Sequence, residues 1–125
     1  MRFLLDSHVL LWAVADPARL AKPVLDQLRD ADNDLLVSAA SIWELHIKAG
    51  IGRLTLPAQF PDILWQRGFT CLPVDCRHGE AAGRLSPHHA DPFDRMLIAQ
   101  ARLEELTIVT RDREFANYGI AILPA

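Results

Sequence analysis

Apolar residues fall along the chain in two rhythms. Short aliphatic and β-branched runs recur between longer stretches in which an apolar side chain returns every three or four positions. The short runs, Arg2 to Leu5, Leu35 to Val37, "FTCLPV", "LTIVT" and "IAIL", read as strands. The longer stretches read as helices. "SHVLLWAVA" is the first, and "AKPVLDQLRDADN" follows, with Val24, Leu25 and Leu28 at helical spacing and Asn33 as its stop. "ASIWELHIKAG" is capped by Ser38 or Ser41 and ends at Gly50. Roughly Pro61 to Arg67 forms another helix closed by Gly68, and "RHGEAAGRL" a short one interrupted by glycine. "GIGRLTLPAQFP" is rich in turn residues, and "RDREFANYG" is a turn or short helix. Strands thus alternate with helices, which predicts an α/β sandwich around a mostly parallel sheet. In such sheets functional groups gather beyond the carboxyl ends of the strands.

The stretch "SPHHADPFDRMLIAQA" breaks the pattern in an informative way. Asp91 is suited to an N-cap and Pro92 to the first helical position, and the helix continues to about Leu106. Asp94, three residues after the cap, favours the helix dipole. At roughly 100° per residue its direction falls between those of Leu97, Ile98 and Ala101, so it points along a packed face. An unpartnered carboxylate there is costly and calls for cations or donors nearby.

Three other acids fall where such a partner set could form. Asp6 follows the first strand, Asp112 lies just past "TIVT", and Glu44 lies about one turn into the helix after the second strand. Each alone has a bland role: Asp6 as a helix cap, Glu44 as an i,i+4 partner of Lys48, Asp112 as a turn starter. Together they place four carboxylates at one rim of the sheet. Two unit charges 4 Å apart repel by about 1 kcal/mol in water and about 4 kcal/mol at an effective dielectric of 20. Such a cluster is relieved by protonation or by a divalent cation, and an all-oxygen donor set suits Mg²⁺ or Mn²⁺.

Zinc is a poor fit. His88 and His89 are adjacent and diverge, and Cys71 and Cys76 lack a standard zinc spacing. His88 and His89 read as loop groups or caps, with a secondary role for His89 near substrate; His8, His46 and His78 read as ordinary helix residues. The cysteines read as small half-buried side chains. Trp12, Trp43 and Trp65 are expected in the core, unless one or two line a groove for an amphipathic partner helix.

Composition narrows the class. With 125 residues, 50% hydrophobic and 23% charged, the chain fits one globular domain. The longest charge-free apolar run, His8 to Ala15, is far short of a membrane span. Asp6-Ser7-His8 interrupts what could otherwise be a signal peptide, so a cytoplasmic protein is expected. The net charge of -3 argues against gripping nucleic acid by bulk charge. It leaves open a metal ion placed between protein carboxylates and a phosphate.

Taken together, "FLLDSHVLLW", "VSAASIWELHIKAGIGRL", "HHADPFDRMLIAQA" and "TIVTRDREFANYGI" resemble PIN-domain proteins of the VapC toxin kind, over nearly the whole chain and in order. The resemblance implies a single PIN domain over residues 1–125 and a three-layer α/β/α fold. It implies a Mg²⁺- or Mn²⁺-dependent endoribonuclease, a toxin neutralised by a cognate antitoxin and commonly assembled as a homodimer. The family's catalytic and metal-binding acids fall on Asp6, Glu44, Asp94 and Asp112. Ser7 and Thr110 match hydroxyl residues beside the first and last acids and are candidate substrate contacts. Arg95, Lys48, Arg111 and Arg113 neighbour the acids and are candidates for flanking phosphates. Two competing readings stand beside this one. The first is a non-catalytic interaction module whose acids serve caps and salt bridges. The second is an aspartyl-phosphate phosphatase, which normally wants an acid where this chain has His8.

Overall fold

The computed structural model describes residues 1–125. Five strands, β1 (Arg2–Leu5), β2 (Asp34–Ser38), β3 (Thr70–Leu72), β4 (Thr107–Thr110) and β5 (Ile122–Pro124), form one sheet. Their order is β3-β2-β1-β4-β5, and every pairing is parallel. Six helices cover it: α1 (Ser7–Ala15), α2 (Lys22–Arg29), α3 (Ala39–Gly50), α4 (Asp62–Gln66), α5 (Cys76–Arg84) and α6 (Pro92–Glu104). Two 3₁₀ segments, Pro17–Arg19 and Arg113–Tyr118, complete the chain.

The strands read as near-continuous apolar runs because both faces of the sheet are covered. Phe3, Leu5, Leu35, Val37 and Val109 point to one side, where they pack with Val9 and Leu10 of α1, Val24 of α2, Leu45 of α3 and Leu64 of α4. Leu4, Leu36, Leu72 and Ile108 point to the other, against Leu97, Ile98 and Ala101 of α6 and Phe115 and Tyr118 of the second 3₁₀ turn. The result is the expected three-layer α/β/α sandwich.

Most element boundaries match the sequence reading, and the departures have local causes. α2 stops at Arg29 instead of running to Asn33, because Asp30 accepts from the Asp32 amide and forms a turn. Asn33 then donates to the Gln27 carbonyl. β3 ends at Leu72 before Pro73, which has no N–H to continue a ladder. β5 begins at Ile122 because Gly119, at φ 70°, turns the chain sharply.

The connections set the location of a site. From β1 the chain moves through β2 to β3 on one side, then returns through α5 and α6 to β4 on the other side of β1. The carboxyl ends of β1 and β4 are therefore the point where strand order reverses, where open α/β sheets leave a crevice.

Candidate functional site

Asp6 leaves β1 at that crevice. Its amide donates to the Val109 carbonyl at 3.0 Å, prolonging the parallel ladder, while its side chain caps α1 by accepting from the His8 amide at 2.8 Å. The other carboxylate oxygen accepts from the Thr110 hydroxyl at 2.7 Å. Burial works against ionising Asp6. The nearby His8 imidazole, the Thr110 hydroxyl and the His8 amide outweigh it and hold the carboxyl below its ordinary range. Asp6 is therefore a fixed anion.

Glu44, on α3, is buried and doubly held. Ser7 donates to one oxygen and Lys48 to the other, each at 2.8 Å. Asp112 opens the second 3₁₀ turn, where it accepts from the Glu114 amide, and its second oxygen lies 3.1 Å from His89 Nε2. The Asp112 amide donates to Thr110 Oγ1 at 3.0 Å, so one hydroxyl ties Asp6 to the backbone of Asp112.

Asp94 follows the Asp91 cap, which accepts from the Phe93 and Asp94 amides. Its own carboxyl is pushed up to about 7, first by burial and then by the charges of Asp91, Asp6 and Glu44, with His89 opposing. The four expected acids and Asp91 line one cleft of about 360 Å³, together with His8, Trp12, Lys48 and Arg111. Four distant segments thus meet at one rim. Its acidic donors are carboxylate oxygens, and burial followed by neighbouring charge raises the carboxyl of Asp94 among them. That donor set fits a hard divalent cation and no soft one.

Tighter groups of ligand atoms, within 4.8 Å of one another, lie at His89–Asp112–Glu114 and at Asp75–His78–Glu104. The second group is a capping device. His78 Nδ1 accepts from the Asp75 amide and its Nε2 faces Glu104 at 3.0 Å, while Arg77 donates to both acids. With both ring nitrogens and both acids already partnered, it is a structural network at the start of α5.

Several expectations are corrected. Arg95 does not face the cleft: its guanidinium donates to the carbonyls of Ala82, Leu85, Ser86 and His89 and pins the loop before α6. Ser7 and Thr110, expected as substrate contacts, donate to Glu44 and Asp6 and hold those acids in place. Arg113 lines a neighbouring cavity instead of the acidic cleft. Cys71 and Cys76 are exposed rather than half-buried, on the edge strand and the first turn of α5. Trp43 is 64% exposed, not core, and the exposed Ile47 on α3 and Ile51 just past its end follow it at four-residue spacing.

Other functional neighbours carried no pattern in the sequence. His8 is exposed but lines the cleft, with Nδ1 3.7 Å from Asp6, whose contact raises the imidazole's pKa. His78 is buried in its network, unlike an ordinary surface helix residue. His89 is buried between Phe115 and Tyr118, its amide donating to the Tyr118 hydroxyl at 2.8 Å. Adjacent His88 is exposed, so only one of the pair reaches an acid.

Comparisons with known proteins bear on the family and on the fold. The sequence profile of the PIN domain matches residues 3–121. Ribonuclease VapC22 of Mycobacterium tuberculosis is 32% identical over 118 residues, spanning 92% of this chain and 90% of that protein. Among solved structures, VapBC2 of Rickettsia felis, bound to a DNA fragment from its promoter, superposes with a TM-score of 0.75 at 16% identity, covering 100% of this chain and 99% of that one. FitAcB of Neisseria gonorrhoeae gives 0.62 at 22% identity, covering 97% and 96%. At these identities the solved structures show a shared fold. No helix is long and apolar enough to cross a membrane.

Proposed function

The chain belongs to the PIN-domain family, and from that premise we propose that it is an endoribonuclease toxin that hydrolyses RNA phosphodiester bonds at the acidic cleft with Mg²⁺ or Mn²⁺. The observation that carries the reading is the meeting of Asp6, Glu44, Asp94 and Asp112, from four remote segments, in one cleft at the strand-order reversal. The relative named a ribonuclease supports the same activity.

In this reading those four acids hold the cation. When bound, it offsets phosphate charge and lowers the pKa of a water for in-line attack. The chain's own groups prepare that arrangement. Thr110 and the His8 amide hold Asp6 ionised and in one rotamer. Ser7 fixes one oxygen of Glu44, and Lys48 at the other lowers the cleft's net negative charge where a phosphate must approach. His89 orients Asp112 from its aromatic seat. Asp94, whose carboxyl sits at about 7 without a cation, would give up the proton it shares with solvent if a cation bound there.

The reading brings a cognate antitoxin and a homodimer with it, in the cytoplasm. The exposed stripe of Trp43, Ile47 and Ile51 is the kind of apolar surface that protein partners cover. The test is cleavage of end-labelled single-stranded and structured RNAs by the purified protein. Wild type should cut with Mg²⁺ or Mn²⁺ and stop in chelator, and Asp6→Asn should be folded and inactive. Intact RNA in every metal would overturn the reading in favour of a non-catalytic interaction module. Full activity of Asp6→Asn would remove the cleft from the chemistry.

A further inference from the structure

A cleft built from carboxylates must still draw in a polyanion, and most of its cations are already engaged. Lys48 is bound to Glu44, and Arg95 is committed to four backbone carbonyls outside the cleft. Arg111 is different. It lines the acidic cleft, and it forms no ion pair with a side-chain carboxylate. It also lines the adjoining cavity of about 290 Å³ that contains Arg113, so it stands on the lip between the two.

Its position is not that of a loose surface side chain. The guanidinium carbon lies 4.3 Å from the centroid of the Trp12 ring, over its face. Nε donates to the Ala125 carbonyl at 3.0 Å and Nη2 to the Arg19 carbonyl. Nη1 has no protein partner and remains available. A long side chain held flat by a ring and two carbonyls loses little freedom when it binds, and a planar fork suits phosphate oxygens. Trp12 is partly buried on α1, one turn beyond His8, and its own packing against the core keeps the ring still.

We propose that Trp12 is a positioning residue, whose ring holds the Arg111 guanidinium at the lip of the acidic cleft to bind an RNA phosphate flanking the one that reacts. The inference rests on the ribonuclease reading and names how that site takes its substrate. Arg111 touches the phosphate; Trp12 acts only through Arg111. Their effects must therefore appear in substrate binding and must not add.

The experiment uses full-length wild type, Trp12→Leu, Trp12→Phe, Arg111→Gln, Arg111→Lys and the Trp12→Leu/Arg111→Gln double variant. Steady-state cleavage of a fluorogenic RNA gives kcat and KM, and anisotropy of a 2′-O-methyl oligoribonucleotide gives binding against salt. Arg111→Gln and Trp12→Leu should each raise KM about tenfold with kcat within about twofold, since a flanking phosphate contact binds ground and transition states alike. Each should flatten the salt dependence by about 0.7 in log–log slope, the value for one phosphate on a single strand. The double variant should match Arg111→Gln, and Trp12→Phe, which keeps a flat ring, should recover most of the loss. Arg111→Lys should stay weak although its charge is retained.

Additive losses, an unchanged salt slope, a fall in kcat at constant KM, or a fully active Arg111→Lys would overturn the proposal. The lysine variant decides the matter even if Trp12→Leu fails to fold. If wild type cleaves no RNA, the ribonuclease reading falls while the anisotropy arm still decides whether Trp12 and Arg111 form a phosphate contact.

Discussion

Asp94→Asn is the sharpest probe of the crowded cleft, because it mimics the protonated acid in shape while removing the charge. The carboxyl sits at about 7 against an ordinary 3.8, a difference of 7 − 3.8 = 3.2. At about 1.36 kcal/mol per unit, the ionised form is penalised in the fold by at most ~4 kcal/mol. The cleft is open to water and counterions, so ~1–2 kcal/mol is the expected measurable part. The sign follows from proton binding. Between the two values the native state holds a proton that the unfolded chain has lost, so stability falls as pH rises. The contribution is fully present below about 3.8 and gone above about 7. In chelator, wild type and variant should therefore melt together near pH 4, and the variant should melt roughly 4–8 °C higher at pH 8. Mn²⁺ should reverse the order at pH 8, since a hundredfold excess over Kd stabilises the competent site by about 2.7 kcal/mol. Differential scanning calorimetry at both pH values with and without Mn²⁺ reads all four cases. A gap of equal size at pH 4 and pH 8, or a variant less stable at pH 8 in chelator, would refute the reasoning.

Three further outcomes follow from the hydrogen bonds around the site. Thr110→Val removes the donor to Asp6 and the acceptor of the Asp112 amide; it should cost about 1–3 kcal/mol in urea unfolding and lower kcat more than it changes KM. Lys48→Met strands the buried Glu44 carboxylate, so stability should drop by about 2 kcal/mol in urea unfolding at pH 8. Arg95→Ala frees four carbonyls and should raise hydrogen exchange in residues 82–90 while leaving RNA affinity unchanged; weakened binding at unchanged exchange would restore Arg95 to the substrate.

Which parts of this were legible beforehand follows from the range of the interactions. Strands and helices are written in local periodicity, and the acid positions relative to strand ends follow from the parallel topology. Asp6, Glu44, Asp94 and Asp112 could therefore be assigned to one rim before any coordinates. Side-chain partners are a different matter. The Thr110–Asp6 bond spans 104 residues and depends on the β1–β4 register, so the hydroxyl's role as an anchor had no local signal. Arg95 sits beside Asp94 in sequence, yet a helix sends successive side chains in different directions, and it turned toward the loop carbonyls. Asp91 was legible as a cap but not as one of the charges that raise Asp94. Trp43 matched a core residue in type, but which face of α3 is covered depends on what packs against that helix, and residue type does not report it.

The central placement of β1 bears on when the acidic cleft can assemble. β1 receives β4, and with it Thr110 and Asp112, only after the roughly hundred residues between them have been made. Contacts of such long sequence separation form late and cooperatively. A nascent fragment ending before Thr110 carries Asp6 without its anchoring hydroxyl and without the fourth acid. The acidic cleft therefore comes into being only once β4 has been made and has paired with β1.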